Sequence, residues 1–238
     1  MFLDKLAYKF KKIAIKNLML GIVLGQFLVF LIDLVMRTKY VGTDLVGGLS
    51  QFLMFDRSLI LQGQVWRVLS FIFIPPAQGI GGIFFILFTL YFYWMIGNTL
   101  ENEWGAAKFN LYYYFCILFL IAAGFITGYN DNFYLNMSLF FAFAVFYPNY
   151  QILLFFILPI KIKWLAYIDA AYFLVMLIVG PWSVKASVLA AVAVFLLFFG
   201  KQLFRDIKNF SLNMYNRRKY KKSVQWGEKQ NRDYWRNR

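Results

Sequence analysis

Ser138 is the candidate nucleophile of this chain. It lies in the apolar stretch Tyr134-Leu135-Asn136-Met137-Ser138-Leu139-Phe140. A serine hydroxyl is a weak nucleophile until a neighbouring base takes its proton, and histidine is the usual base. The chain contains no histidine. Lysine can replace histidine in this role, and Lys185 is the candidate. A lysine at the end of an apolar segment is more typical of a side chain that reaches to the membrane surface.

Metal and ion chemistry would rest on very few side chains. Cys116 is the single cysteine, so the chain lacks the ligands of common zinc sites, and we expect neither a metal nor another cofactor. Asp169 is the carboxylate expected deepest inside an apolar segment. An ionisable group there indicates an ion or proton site, which would suit a transporter. The alternative is a hydrogen bond to Asp169 from a Ser, Tyr or Asn of a neighbouring helix.

These side chains belong to a sequence with the composition of a membrane protein. Of its 238 residues, 61% are hydrophobic and only 15% are charged. A soluble domain has about 45–50% apolar and about 25% charged residues, so soluble globular and disordered classes are excluded. The net charge of +14 is concentrated at the two ends, with five lysines in the first 16 residues and twelve Lys or Arg after Gly200. Basic ends around an apolar middle predict a multi-pass protein with both termini in the cytoplasm.

Apolar segments divide the chain into predicted spans, since about 20 apolar residues cross about 30 Å of hydrocarbon. The predicted spans are 17–36, 82–100, 106–127, the shorter 133–147, 164–179 and 184–199. A non-helical, partly buried connector is expected between the fourth and fifth spans. We therefore predict an all-α membrane protein with a basic cytoplasmic amino terminus (1–16), a six-span domain (17–200) and a basic cytoplasmic tail (201–238).

The first long loop, residues 37–76, is too apolar for a loop in water and too interrupted by charges to span the membrane. It is expected to form a helical hairpin half-inserted in the outer interface. Asp33, three residues before the end of the first span, is expected near the same interface. Trp66-Arg67 is the most distinctive pair in the loop.

Several motifs in a fixed order resemble the rhomboid superfamily. They are Trp66-Arg67 in the long first loop, Leu100-Glu101 at the end of the second span followed by Gly105, and Tyr147-Pro148 after a short fourth span. The resemblance covers about residues 17–200 and implies a six-helix bundle with a membrane-embedded first loop. It also implies that Trp66 and Arg67 fix this loop onto the bundle and that Glu101 ties a loop to it.

The chain departs from active rhomboids at the positions that perform proteolysis. Those enzymes carry Gly-x-Ser-Gly on the fourth helix and a histidine on the sixth, whereas this chain has Asn136-Met137-Ser138-Leu139 and no histidine. In this respect it is similar to the derlins, the non-proteolytic branch of the superfamily. The resemblance therefore implies a pseudoprotease, not an enzyme, in which Asn136, Met137 and Ser138 bind transmembrane helices of client proteins for quality control or trafficking.

The tail carries a basic cluster with interleaved aromatic residues. The cluster consists of Arg217, Arg218, Lys219, Lys221 and Lys222. Such a cluster is typical of contact with anionic lipid, and ribosomal RNA is the alternative. The sixth helix is expected to continue to Tyr215, with the remaining residues disordered.

The functional alternatives to client binding are an intramembrane serine hydrolase with altered chemistry, a small-solute or ion transporter, and a membrane tether for ribosomes or nucleic acid. Richness in Lys, Asn, Phe and Tyr favours a bacterial plasma membrane over the endoplasmic reticulum as the location.

Overall fold

Long apolar helices account for most of the computed structural model, which describes residues 2–39, 48–76, 82–154 and 158–237. Within these ranges, five helices are long and apolar enough to cross a membrane. The helices, in order, are α1 (Phe2–Phe10), α2 (Leu18–Lys39), α3 (Leu49–Leu53), α4 (Arg57–Leu61), α5 (Arg67–Ser70), α6 (Gly82–Trp104), α7 (Ala106–Thr127), α8 (Phe133–Phe146), α9 (Ile162–Val179) and α10 (Trp182–Arg236). The five candidate spans lie in α2, α6, α7, α9 and α10. An all-α, membrane-embedded protein is therefore confirmed.

Helix α8 corresponds to the predicted short fourth span. It has 14 residues, which at 1.5 Å per residue gives about 21 Å, less than the roughly 30 Å of hydrocarbon. Eight of its residues are buried. Apart from Asn136 and Ser138, its sequence is apolar on all sides, which is typical of a helix enclosed by other helices.

Hydrogen bonds between helix ends show that successive helices run in opposite directions. The end formed by Asn17, Glu101 and Tyr147 is called the basal end here. At it, the Asn17 N–H donates to Glu101 Oε1 at 2.9 Å, and the Tyr147 hydroxyl donates to Glu103. At the opposite end, called the loop end, Ser187 Oγ donates to Asn130 Oδ1 at 3.0 Å.

The first loop differs from the expected helical hairpin. Its described part, residues 48–76, contains three helices of four or five residues and a 3₁₀ turn, Phe71–Phe73. Between α3 and α4, strand β1 (Phe55–Asp56) pairs antiparallel with β2 (Tyr129–Asn130), which follows α7. Long helices do not form because Asp56 caps the start of α4 and Gly63 adopts a φ of 104° soon after its end.

Among the described residues, the hydrogen bonds of the Trp66 and Arg67 side chains lie inside the first loop. Arg67 is 5% exposed, and its Nη1 donates to the carbonyls of Gln51 at 2.8 Å and Met54 at 2.9 Å. The half-exposed Trp66 donates from Nε1 to the carbonyl of Phe52 at 3.1 Å. Trp66 and Arg67 therefore connect two parts of the same loop and stabilise its internal structure.

Other side chains fasten the loop to the bundle. Asp33 is only 2% exposed and accepts hydrogen bonds from the N–H and the hydroxyl of Ser50, so it is buried at the loop end and is not a surface group. Gln26 Nε2 donates to the Ile72 carbonyl at 2.9 Å, and Asn132 Nδ2 donates to the same carbonyl at 3.0 Å. These amides hold a non-helical backbone that would otherwise leave its carbonyls unpaired.

The connector before α9 and the tail after the last span are both regular. Strands β3 (Gln151–Leu154) and β4 (Leu158–Lys161) pair antiparallel, which confirms a non-helical connector. Helix α10 continues to Arg236, so the expected disorder beyond Tyr215 is wrong. The tail contains no proline and is rich in helix-forming residues, which permit a long helix. Contacts divide the chain into two units, Met1–Phe195 and Leu196–Arg238.

Candidate functional site

The two polar residues singled out on α8 point to different sides of that helix. Asn136 and Ser138 are 3% and 1% exposed, so both are buried. Residues two positions apart on an α-helix are separated by about 200°. Asn136 and Ser138 therefore belong to two separate polar clusters, with the half-buried Met137 between them.

The cluster around Ser138 is closed by its own hydrogen bonds. The Tyr112 hydroxyl lies 2.6 Å from Ser138 Oγ and donates to the Ser138 carbonyl at 3.0 Å. Ser138 Oγ also lies 3.4 Å from the Ala191 carbonyl oxygen and 3.9 Å from Cys116 Sγ. The serine thus joins α7, α8 and α10 and has structural partners for its hydroxyl.

The second cluster, around Asn136, leaves acceptor atoms without partners. The Asn136 amide forms a side-chain hydrogen bond with Tyr93 of α6, whose hydroxyl also lies within electrostatic range of Asp131 and Asp169. Within the described residues, Asn136 Oδ1 and Asp169 Oδ2 are buried and have no hydrogen-bond partner. Both oxygens can accept hydrogen bonds from a ligand. The Ser138 hydroxyl is less able to do so, because it already has a hydrogen-bond partner in Tyr112.

Helix α9, which carries Asp169, is the least enclosed of the candidate spans. About 11% of its membrane-spanning window is buried, compared with 33–56% for the other four. Aromatic contacts hold it against α8: the Phe173 ring lies 5.2 Å from Phe141 and 5.8 Å from Tyr134, between centroids. We call the interface between α8 and α9 the α8–α9 seam. One of the two helices that form it, α9, therefore has few other neighbours among the described residues.

The remaining motif residues lie at the basal end. Glu101 accepts from the Asn17 N–H through one oxygen, while its other oxygen is buried and unpaired among the described residues. Glu101 thus ties the start of α2 to the end of α6. Gly105 separates α6 from α7 with a φ of 76°, a backbone conformation that favours glycine.

The basic cluster of the tail covers a broad side of one helix. Arg217, Arg218, Lys219, Lys221 and Lys222 all lie on α10. Successive helical residues rotate by about 100°, so these five positions cover about 200° of the helix circumference. The positions therefore form a wide basic side of the helix and not a narrow stripe.

Asp131 lies between β2 and α8, outside the spans, and is partly enclosed. Burial raises the pKa of its carboxyl above the ordinary value, although Asp131 Oδ1 accepts from the Phe133 N–H at 3.0 Å. The folded protein therefore holds this proton more tightly than the unfolded chain, and its stability falls as the pH rises through the raised pKa.

We expect Asp131→Asn to raise the unfolding temperature at about pH 7.5, because the amide keeps the acceptor for Phe133 and removes a costly charge. The gain should shrink as the pH falls and vanish well below pH 4, the ordinary pKa of aspartate, because the wild-type carboxyl is then neutral in both the folded and the unfolded chain. Thermal unfolding of both proteins in detergent across this pH range measures the difference. A constant difference at all pH values would contradict the assignment.

Sequence reasoning missed Tyr93 and Asn130, which help to organise these clusters. Tyr93 occurs in an aromatic-rich helix and carries no signal that separates it from its neighbours. Asn130 precedes α8, and its side chain donates to the backbone carbonyl of Leu120. Its closeness to a turn and its polarity inside an apolar protein are the only signals that could have identified it.

Within the described ranges, no group of three or more His, Cys, Asp or Glu side chains is placed to hold a metal ion. Comparisons of the chain with known protein families, with curated proteins and with solved structures find no match.

Proposed function

We propose that this protein is a non-catalytic, rhomboid-like membrane protein that binds transmembrane helices of client proteins at the α8–α9 seam. The observation that carries the proposal is the pair of buried acceptors, Asn136 Oδ1 and Asp169 Oδ2, for which the described chain supplies no donor. The proposed site therefore centres on Asn136 and Asp169, with Met137 beside them.

The physical basis of client binding is the free-energy cost of polar atoms that lie away from water without a hydrogen-bond partner. A client helix that carries a Ser, Thr, Asn or Gln near its middle also has such a polar atom without a partner when it lies in lipid. A hydrogen bond between helices in a membrane contributes about 1 kcal/mol, so two such bonds would favour the docked client over the free one. A fully apolar helix would gain neither bond, and this difference provides the selectivity.

The packing of α9 supports entry from the side. Because α9 is largely exposed and contacts α8 through a few aromatic rings, it can separate from α8 with little loss of burial. The short α8 favours local thinning of the bilayer beside the seam, since a helix shorter than the hydrocarbon draws the two surfaces together.

We propose six passes with both termini in the cytoplasm, and the alternating helix directions support this topology when α8 is counted as a span. The basal end is then cytoplasmic, in agreement with the lysines of residues 1–16. A bacterial plasma membrane is the proposed location. The tail would add attraction to anionic lipid, or to ribosomal RNA, through the basic side of its helix.

The non-catalytic assignment rests on the missing histidine and on the partners of Ser138. Its hydroxyl is engaged by Tyr112 and lies close to the Ala191 carbonyl. Lys185 precedes Ala191 by six residues, about 9 Å along a helix axis. Failure of Ser138 to react with an activated fluorophosphonate is therefore expected.

Photo-crosslinking from position 137 tests the client site directly. The protein is reconstituted with a single-span polyleucine helix that carries a central Asn, or with its all-leucine counterpart. We expect crosslinks to the polar helix and a loss of about fivefold for each bond of about 1 kcal/mol when Asn136→Leu and Asp169→Leu are introduced.

Ser138→Ala is the matched control, because it changes a buried polar group on the opposite side of the same helix. It should leave client crosslinking unchanged. Equal capture of both helices, or capture that survives loss of Asn136 and Asp169 in a folded protein, would refute the site.

Transport is the second candidate function, favoured by the unpaired oxygen of Asp169. Ion- or pH-dependent flux into vesicles that is abolished by Asp169→Asn would support it. Absence of flux in vesicles that contain folded protein would exclude transport as the function.

A further inference from the structure

The tail that follows the last span carries a strong excess of positive charge. Residues 201–238 contain twelve Lys or Arg against three Asp or Glu, a net charge of +9. The basic cluster lies within residues 207–227, which contain no acidic residue. Pairing within the tail therefore cannot neutralise it, and charge complementarity favours a polyanionic partner.

The width of the basic side restricts the shape of that partner. The five positions of the cluster cover about 200° of the helix circumference. A flat anionic surface touches only one side of a helix, whereas the phosphates on the two sides of a nucleic-acid groove can enclose it. The wide basic side therefore favours a nucleic acid over the surface of a bilayer.

Apolar side chains do not form a separate face in this segment. At about 100° per residue they point to all sides of the helix, with no gap wider than about 100°. They are Leu212, Met214, Tyr215, Tyr220, Val224 and Trp226. Each of them is between 40% and 71% exposed. A helix that lies in the membrane interface has one continuous apolar face, so this segment is poorly suited to lie on lipid.

Distance along the helix also weakens attraction to lipid headgroups. Within the unit Leu196–Arg238, the end of the last candidate span, at Arg205, and the basic cluster lie on one helix. Arg217 follows Arg205 by about 18 Å along the helix axis. The Debye length in physiological salt is about 8 Å, so the membrane surface potential is largely screened at that distance.

A concave surface on one side of this segment combines groups that bind nucleic acids. Arg217 and Lys221 line it together with Asn213, Asn216 and Tyr220. Basic groups pair with phosphates, amides hydrogen-bond to base edges, and aromatic rings stack on unpaired bases. Duplex DNA keeps its bases stacked inside the helix, whereas RNA loops and bulges expose unstacked bases. The exposed aromatic rings therefore favour RNA.

We propose that the tail helix binds folded RNA where a loop or bulge interrupts a stem. The basic side pairs with phosphates, and the rings of Tyr220 and Trp226 stack on bases that the loop leaves unpaired. This proposal rests on the proposed topology, which places the tail in the cytoplasm, where RNA is present. It is independent of the client seam, because neither Asn136 nor Asp169 takes part.

Fluorescence anisotropy of a labelled RNA hairpin with an internal loop tests the site, with full-length protein in phosphatidylcholine nanodiscs. The quadruple variant Arg217→Gln, Lys219→Gln, Lys221→Gln and Lys222→Gln should bind at least about tenfold more weakly than wild type at about 0.15 M salt. Its slope of log affinity against log salt should be smaller by about 3, since each lost phosphate contact removes about 0.7.

The matched control is the quadruple variant Lys5→Gln, Lys9→Gln, Lys11→Gln and Lys12→Gln, which changes the net charge by the same amount at the other end of the chain. It should bind the hairpin as wild type does. Equal losses of affinity in the two quadruple variants would overturn the proposal. Circular dichroism establishes that both variants keep the helix content of wild type.

The aromatic contribution distinguishes looped RNA from duplex DNA. The double variant Tyr220→Leu and Trp226→Leu should bind the hairpin about tenfold more weakly and keep the salt slope of wild type, because stacking releases no counterions. A DNA duplex with the same number of phosphates should bind at least about tenfold more weakly than the hairpin. Equal binding of the two nucleic acids would overturn the assignment to looped RNA.

Anionic lipid is distinguished in nanodiscs that contain phosphatidylglycerol. The affinity for the hairpin should stay within about threefold of that in phosphatidylcholine, and a loss of more than about tenfold would show that the tail lies on lipid. Both faces of a nanodisc are accessible, so RNA binding does not depend on membrane orientation. Protease cleavage of the tail in inside-out vesicles tests the topology separately.

Discussion

Replacing Arg67 with alanine is expected to lower the free energy of unfolding by about 3 kcal/mol, since hydrogen bonds to charged groups contribute about 1.5–3 kcal/mol each. Arg67 is 5% exposed and donates to the carbonyls of Gln51 and Met54 and, at 2.7 Å, to Gln64 Oε1. Its removal leaves these acceptors without their donor in a loop that has little regular structure. Equilibrium unfolding in mixed micelles measures the change.

Arg57→Ala is the matched control for this prediction. Arg57 is exposed and donates one hydrogen bond, from Nη1 to the Phe125 carbonyl at 3.0 Å. An exposed bond of this kind should cost less than about 1 kcal/mol when lost. Equal losses in the free energy of unfolding for the two alanine variants would show that the burial and the several hydrogen bonds of Arg67 do not contribute to stability. Arg67→Lys should recover only part of the loss, because an ammonium cannot reproduce the planar fork of donors.

The membrane helices were predictable from sequence because the requirement is local. A span needs about 20 apolar residues, and this condition can be read directly from the chain. One difference in a span boundary concerns α6, which ends at Trp104 and not at Leu100. Its last turn contains Glu101 and Glu103, which are good helix formers although they are polar. The apolar segment therefore ends before the helix does.

The polar contacts were not predictable because they join residues far apart in the chain. The pairing of Phe55 with Asn130 and the bond from Asn132 to Ile72 depend on how α7 and the first loop are positioned. Likewise, Asn136 and Ser138 looked like one site because they are neighbours in sequence. Helical geometry separates them, and only the surrounding helices determine that Ser138 is paired while an oxygen of Asn136 has no partner among the described residues.

Phe55→Ala is expected to destabilise the protein by about 3–5 kcal/mol, the usual cost of truncating a fully buried aromatic residue. The Phe55 side chain is 0% exposed, and its ring packs edge-on against Phe71 at 5.9 Å and Phe125 at 5.5 Å between centroids. It also fills the space that the missing side chain of Gly124 leaves on α7. Equilibrium unfolding in mixed micelles again measures the loss.

Phe52→Ala provides the control, because it removes the same ring from a position in the same loop that is 56% exposed. It should cost less than about 1 kcal/mol, since little packing is lost and no cavity forms. Because Phe55 joins the first loop to α7, its truncation should also increase proteolysis within residues 48–76, and Phe52→Ala should not. Similar stability and similar proteolysis in the two variants would contradict the role of Phe55 as the apolar contact that fastens this loop to the helices.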